Sequence, residues 1–219
     1  MAFLDAALII IPPAVGLLWL KSLTGARAGS LVIVQTLFVG AFALAAALLI
    51  GIATDPLMQR LTGLTRELVS AFVVAGVVEE TAKIATILLL IFAPRRPDAA
   101  PRPALWTGGL VGTGFAILES FLYLGRGPGV LLLRGVTALP MHLTTGVILG
   151  HAFGPGRRRL SVLIAFVAAV VLHGVYDLIV RADPPFSYGV VPLVVAMLIA
   201  TATLTRTGNP DNPAVKLDP

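Results

Sequence analysis

The 219-residue chain contains no cysteine. That absence excludes disulfides and thiolate metal sites and leaves the redox compartment unspecified, so any bound metal must be held by His and carboxylate groups. Charge is also scarce: Asp, Glu, Lys and Arg make up 12% of the residues, where a soluble domain carries about 25%. The formal charge is +5. The basic residues sit in short connections between apolar stretches, with no interleaved aromatics, which argues against a nucleic-acid partner. What the chain has in abundance is apolar side chains, 57% of the total. No water-soluble fold can cover that much apolar surface, so the solvent it fits is a lipid bilayer.

A hydrocarbon core of about 30 Å takes about 20 apolar residues per helix. Runs of that kind cover approximately 3–20, 30–53, 67–92, 104–124, 129–152, 159–180 and 188–205. They predict an all-α polytopic transmembrane bundle of about seven spans. The first run, Phe3 to Leu20, has no basic region before it and is followed by further spans, so it reads as a helix and not as a cleaved signal. Turn and charge signals fall between the runs, among them Thr24-Gly25, Asp55-Pro56, Pro94 to Pro103, Gly125 to Gly129, Gly154 to Arg159 and Asp183-Pro184-Pro185. The sequence shows no internal repeat. It reads as one transmembrane domain over 1–205 and a polar, Pro-containing tail over 206–219, expected to be disordered. One set of connections plus the tail holds Lys21, Arg27, Arg95, Arg96, Arg102, Arg157, Arg158, Arg159, Arg206 and Lys216; the opposite set holds Arg60, Arg66, Arg126 and Arg181. The excess of basic residues on cytoplasmic loops then predicts the N-terminus outside and the C-terminus in the cytoplasm.

Ionisable groups inside a bilayer cost several kcal/mol and persist mainly where they face a protein interior and perform a task. Here they concentrate in four successive spans: Glu79, Glu80 and Lys83 in the third, Glu119 in the fourth, Arg134 and His142 in the fifth, His173 and Asp177 in the sixth. At about 100° per residue, Lys83 lies within about 40–60° of both glutamates. It can hold one carboxylate ionised while the other stays free to take up a proton. Small residues share these faces: Ala71 and Ala75 behind Glu79, Gly76 behind Glu80, Gly108 and Gly112 with Glu119, Gly146 and Gly150 with His142, Ala165 and Ala169 with His173. Close helix approach on those faces predicts a polar cavity enclosed by helices three to six. Pro140 predicts a kink that frees carbonyls beside it. With the predicted orientation the cavity opens, if anywhere, to the outer face. Asp177, one turn beyond His173, is the expected acceptor for a ring N–H. Arg134 can snorkel to the headgroups, His151 reads as interfacial, and Tyr123, Trp19 and Trp106 read as aromatic-belt anchors.

Taken together, Glu79-Glu80-Thr81-Ala82-Lys83 (EExxK), Gly114-Phe115-Ala116-Ile117-Leu118-Glu119 (GFxxxE), His142, and His173-Gly174-Val175-Tyr176-Asp177 (HxxxD) stand in order on four successive apolar spans. This pattern resembles the PrsW family of intramembrane proteases, within the larger group of CAAX-prenyl endopeptidases and bacteriocin-immunity-type membrane proteases. The resemblance covers about 67–180. Ser120 stands where the family typically has Asn after the glutamate, and Asp177 where Asn is common. The resemblance implies a bacterial cell-membrane protease acting on a membrane-anchored protein, such as an anti-sigma-factor-like substrate.

Hydrolysis of a peptide bond needs an activated water, a stabilised oxyanion and an acid for the leaving amine. The expected catalytic residues are Glu79, Glu80, His142 and His173. One glutamate would serve as base on a water that His142 also contacts, the other would pair with Lys83, and His173 would polarise the carbonyl or bind the oxyanion. Lys83, Glu119, Asp177 and Arg134 are expected to support them. Glu80, Glu119, His142 and His173 could instead hold a divalent cation such as zinc with an open water position. Buried Glu, His and Asp groups also fit a proton-relay or transport protein, or a non-catalytic scaffold of the same fold.

Overall fold

The computed structural model describes residues 2–26, 29–92, 104–154 and 159–207. Seven helices run through these residues. α1 is Ala2–Thr24 and α2 is Ser30–Met58; α4 is Ala104–Phe121, α5 is Pro128–His151, α6 is Arg159–Arg181 and α7 is Val190–Thr207. α3 is one uninterrupted run of helical backbone in three parts, Gly63–Leu68, a π-helical Val69–Val77, and Val78–Phe92. A short 3₁₀ turn, Phe186–Gly189, leads into α7. Among the described residues, five stretches are long and apolar enough to cross a membrane: Phe3–Thr24, Ile33–Met58, Pro128–His151, Arg159–Arg181 and Phe186–Arg206. Large apolar side chains on their outer faces, such as Ile10, Leu18, Phe38, Leu49, Val167 and Ile199, are exposed. In a polytopic bundle such faces meet lipid. The protein is an integral membrane helix bundle.

α4 stands at the centre. Every residue from Leu105 to Ala116 is buried, because α1, α2, α3 and α5 surround it. A helical stretch shielded from lipid can give up apolar side chains for glycine, and that choice sets its distance from α5. A Cβ on Gly108 would overlap the carbonyl oxygen of Gly146, one on Gly112 that of His142, and one on Gly150 that of Ala104. The small-residue faces foreseen for the two helices therefore meet each other directly. On the opposite side Gly40 and Gly114 bring α2 equally close, against the backbone of Val111 and Leu37. The turn from α4 to α5 uses Gly125 and Gly127 at φ 84° and 96°, a region that L side chains rarely adopt.

Across the π segment the inward row changes step. Ala71 and Gly76 are both buried, five residues apart, and the row continues through Glu80, Lys83 and Ile87. Ala75, placed behind Glu79 by an α-helical period, instead lines the cavity. Gly76 lies against Val170, and Gly174 of α6 lies beneath the ring of Phe72, so α6 packs closely on the π segment.

Several local expectations change. Asp55-Pro56 is not a turn, because α2 continues to Met58. Asp55 stabilises that last turn: its carbonyl accepts from the Gln59 N–H at 3.0 Å and its carboxylate from the Gln59 side chain at 2.7 Å. α5 likewise remains a helix through Pro140. Trp106 is no belt anchor; it is 1% exposed, because α4 is the central helix. Arg27, Arg95, Arg96, Arg102, Arg157, Arg158, Lys216 and the rest of the tail lie outside the described residues.

Candidate active site

Four helices deliver the ionisable side chains to one place. Glu80 and Lys83, both wholly buried, face inward from α3, and Lys83 Nζ lies 2.6 Å from Glu80 Oε1. The same ammonium stands 2.9 Å from His142 Nδ1 and donates to Thr145 Oγ1 at 3.1 Å. An ammonium has no lone pair, so Nδ1 accepts and the His142 proton resides on Nε2. Nε2 in turn donates to Glu119 Oε2 at 2.7 Å. That oxygen also faces Arg134 NH2 at 2.6 Å. Glu80 with Lys83 and Glu119 with Arg134 are thus opposite charges in contact, the condition under which ions survive in a low-dielectric interior.

His173 reaches in from α6. Its Nδ1 donates to Glu80 Oε1 at 2.7 Å, and its Nε2 lies 3.6 Å from Glu79 Oε2. The two imidazoles meet edge to face, with ring centroids 5.2 Å apart. Phe115, from the GFxxxE segment, lies under both His142 and Lys83, at 5.0 and 4.9 Å. Glu79 is the one glutamate of the pair outside the Lys83 network. Its Oε2 is buried and has no hydrogen-bond partner.

A cavity of about 420 Å³ borders Glu79, Glu119, His142 and His173. Ser70, Tyr123, Val130, Val180 and Arg181 also line it, so it runs toward the end of the bundle that carries the α2–α3, α4–α5 and α6–α7 connections. Arg181 joins two helices there, pairing with Asp177 on its own helix and donating to Ser70 Oγ on α3 at 2.9 Å.

The expected residues converge, with changed partners. His173 is oriented by Glu80, and Asp177 pairs with Arg181, a full cation that outcompetes a ring N–H for the carboxylate. Arg134 does not snorkel: only 12% of its side chain is exposed, because Glu119 draws it inward and the Tyr123 ring stacks on it at 3.9 Å. Tyr123 is therefore a wall of the cavity and not a belt residue. Ser120 turns back on its own helix and donates to the Ala116 carbonyl at 2.8 Å. Thr145, which the sequence reading passed over, sits one turn beyond His142, a polar residue on the same face.

Glu79, His142 and His173 offer ligand atoms that all lie within 4.8 Å of one another, a group that could hold a metal ion. The expected candidates Glu80 and Glu119 fall outside this group among the described residues. One oxygen of each is engaged, Glu80 Oε1 by Lys83 and His173 and Glu119 Oε2 by Arg134 and His142, while Glu80 Oε2 is buried without a hydrogen-bond partner.

Known proteins match the chain along much of its length. The family model described as "PrsW family intramembrane metalloprotease" matches residues 29–203. A protein named Protease PrsW from Clostridioides difficile (strain 630) is 24% identical over 208 residues, which cover 88% of this chain and 84% of the relative. A protein of the same name from Bacillus subtilis (strain 168) is 29% identical over 132 residues, 57% of this chain and 60% of the relative. A third, from Oceanobacillus iheyensis, is 26% identical over 145 residues, 63% and 67% of the two chains. No solved structure matches. With the matched region spanning the glutamates, both site histidines and six of the seven helices, the chain belongs to the PrsW family of intramembrane metalloproteases.

Proposed function

We propose that this protease cuts membrane-anchored proteins by a water activated at Glu79, with Glu80 and Lys83 as positioning residues. The observation that carries the reading is Glu79 Oε2. It is buried and has no hydrogen-bond partner, it lies 3.6 Å from His173 Nε2, and the Glu79 carboxylate offers an oxygen within 4.8 Å of ring nitrogens of His142 and His173. A carboxylate so placed is a strong base toward a water in the same space. Glu79 takes the water's proton as the water oxygen adds to the scissile carbonyl carbon. It returns that proton to the amine nitrogen as the C–N bond breaks. Glu80 accepts from His173 Nδ1–H and so keeps His173 Nε2 facing the reacting water. Lys83 keeps Glu80 ionised and fixes the His142 proton on Nε2, where a substrate oxygen would displace Glu119 Oε2 as its acceptor.

Glu79, His142 and His173 also form a His and carboxylate donor set for a divalent cation such as zinc, with an unpartnered Glu79 oxygen; a cation there would take the place of the proton on His142 Nε2. A cation bound there would supply Lewis-acid polarisation of the water and the carbonyl.

We place the substrate's cleavage site on the side of the membrane to which the cavity runs. With the N-terminus outside, as the distribution of basic residues indicates, that side is the outer face, where an anti-sigma-factor-like protein anchored in the membrane would be reached. The bundle over 1–205 acts as one domain. Reconstitution of Glu79→Gln with a single-span substrate tests the reading. The variant is expected to stay folded and lose about 10²–10⁴-fold in cleavage rate; cleavage at the parent rate overturns the assignment.

A further inference from the structure

We infer that Arg134 is a further catalytic residue whose Nε–H and NH2 edge binds the paired oxygens of the tetrahedral adduct. The inference rests on the peptidase reading above. Arg134 stands about two turns before His142 on α5, and its guanidinium lines the same cavity. Its NH2 is 2.6 Å from Glu119 Oε2, and that oxygen is 2.7 Å from His142 Nε2. The guanidinium is thus two hydrogen-bond lengths from a ring nitrogen of the Glu79, His142 and His173 group.

Its side-on fork keeps free donor capacity, because Nε–H has no acceptor and the ion-pair contact to Glu119 involves NH2 alone. Neither Nε nor NH2 has a hydrogen-bond partner, although both are buried. The approach to Glu119 is a charge contact without the alignment of a hydrogen bond. Nε–H and the adjacent NH2 form the side-on fork of an arginine, the edge that matches two oxygens on one atom. A residue serving only to hold Glu119 would turn that fork onto the carboxylate. The ring of Tyr123, 3.9 Å from the guanidinium carbon, fixes its plane, and both residues line the cavity.

When the water oxygen bonds to the carbonyl carbon, the carbonyl electron pair moves onto its oxygen and the carbon carries two oxygens. One is anionic. Only then does the substrate present the oxygen pair that the fork fits, so the contact strengthens in the transition state and not on binding. The carboxylate product has the same two-oxygen geometry and should occupy the same fork.

The test compares Arg134→Lys, which keeps the charge beside Glu119 but loses the fork, with the parent protein. The probe is a peptide phosphinate, whose PO₂⁻ group replaces the scissile carbonyl, built on the cleavage sequence of the single-span assay substrate. The expected result is a kcat lower by about 10²–10³-fold with KM little changed, and phosphinate affinity reduced by the same factor as kcat/KM. Arg134→Gln is carried in parallel, and thermal unfolding verifies that each variant is folded. A parent-like kcat overturns the inference. So does a reduced kcat with unchanged phosphinate affinity, which would make Arg134 a positioning residue for Glu119. Normal cleavage by Glu79→Gln would remove the water-activation reading alone, since phosphinate affinity tests Arg134 separately.

Discussion

Glu80 and Lys83 form an ion pair of 2.6 Å with no exposure on either side chain. Breaking such a pair from one side leaves a bare charge in a low-dielectric interior. Lys83→Met and Glu80→Gln are each expected to lower stability by about 3–5 kcal/mol. The double variant, with neither charge, should lose clearly less than the sum of the two. Unfolding of the four proteins in detergent completes the cycle; strict additivity would show that the pair is uncoupled.

The glycine contact between α4 and α5 sets the position of His142. Gly146→Ala and Gly112→Ala each place a Cβ onto a carbonyl oxygen of the facing helix, so the helices must separate. A displacement of about 1 Å at a catalytic group costs about 10²-fold in rate. Gly129→Ala meets nothing within 4 Å and should cleave at the parent rate. Cleavage assays on folded protein compare the three, and normal activity in Gly146→Ala would separate the interface from the site.

Much of this geometry is legible in the sequence, for a definite reason. Membrane burial makes every ionisable residue conspicuous, and a period near 3.6 assigns it to a face. Hence Glu79, Glu80, Lys83, Glu119, His142 and His173 converge as the pattern implies. Pairing is less legible. Lys83 is angularly close to both glutamates, and the fold alone decides that Glu80 is the buried one. Asp177 lies four residues from both His173 and Arg181, so spacing is neutral between them and charge decides. Arg134 and Trp106 mislead because distance to a helix end says nothing about which helix is central.

Metal content follows from the donor set. If Glu79, His142 and His173 hold a divalent cation, purified protein should carry about one equivalent by elemental analysis, and His173→Gln should carry much less. Chelation should then abolish cleavage and zinc should restore it. Full activity in metal-free protein would exclude a catalytic cation.

Because the chain has no native cysteine, a single introduced one reports its side of the membrane. Asp183→Cys, in the α6–α7 connection, should react with an impermeant maleimide in intact cells. Lys21→Cys, near the end of α1, should react only after permeabilisation. The reverse pattern would invert the orientation and put the cavity mouth on the cytoplasmic face.

The wide turns of Val69–Val77 bear on how this protein can be aligned and edited. A π stretch accommodates more residues per turn than the α-helix around it. Removing one residue there, for example Val73, would let the backbone close into ordinary α-helix without breaking the chain of hydrogen bonds. Such a deletion would leave everything before it facing nearly as it does, with Ser70 still beside Arg181, because the wide turn absorbs the residue removed. The segment lengthens the sequence offset between Ala71 and Glu80 while keeping both on the inward row. A comparison of relatives that allows no gap before the EExxK motif would mistake that offset for divergence.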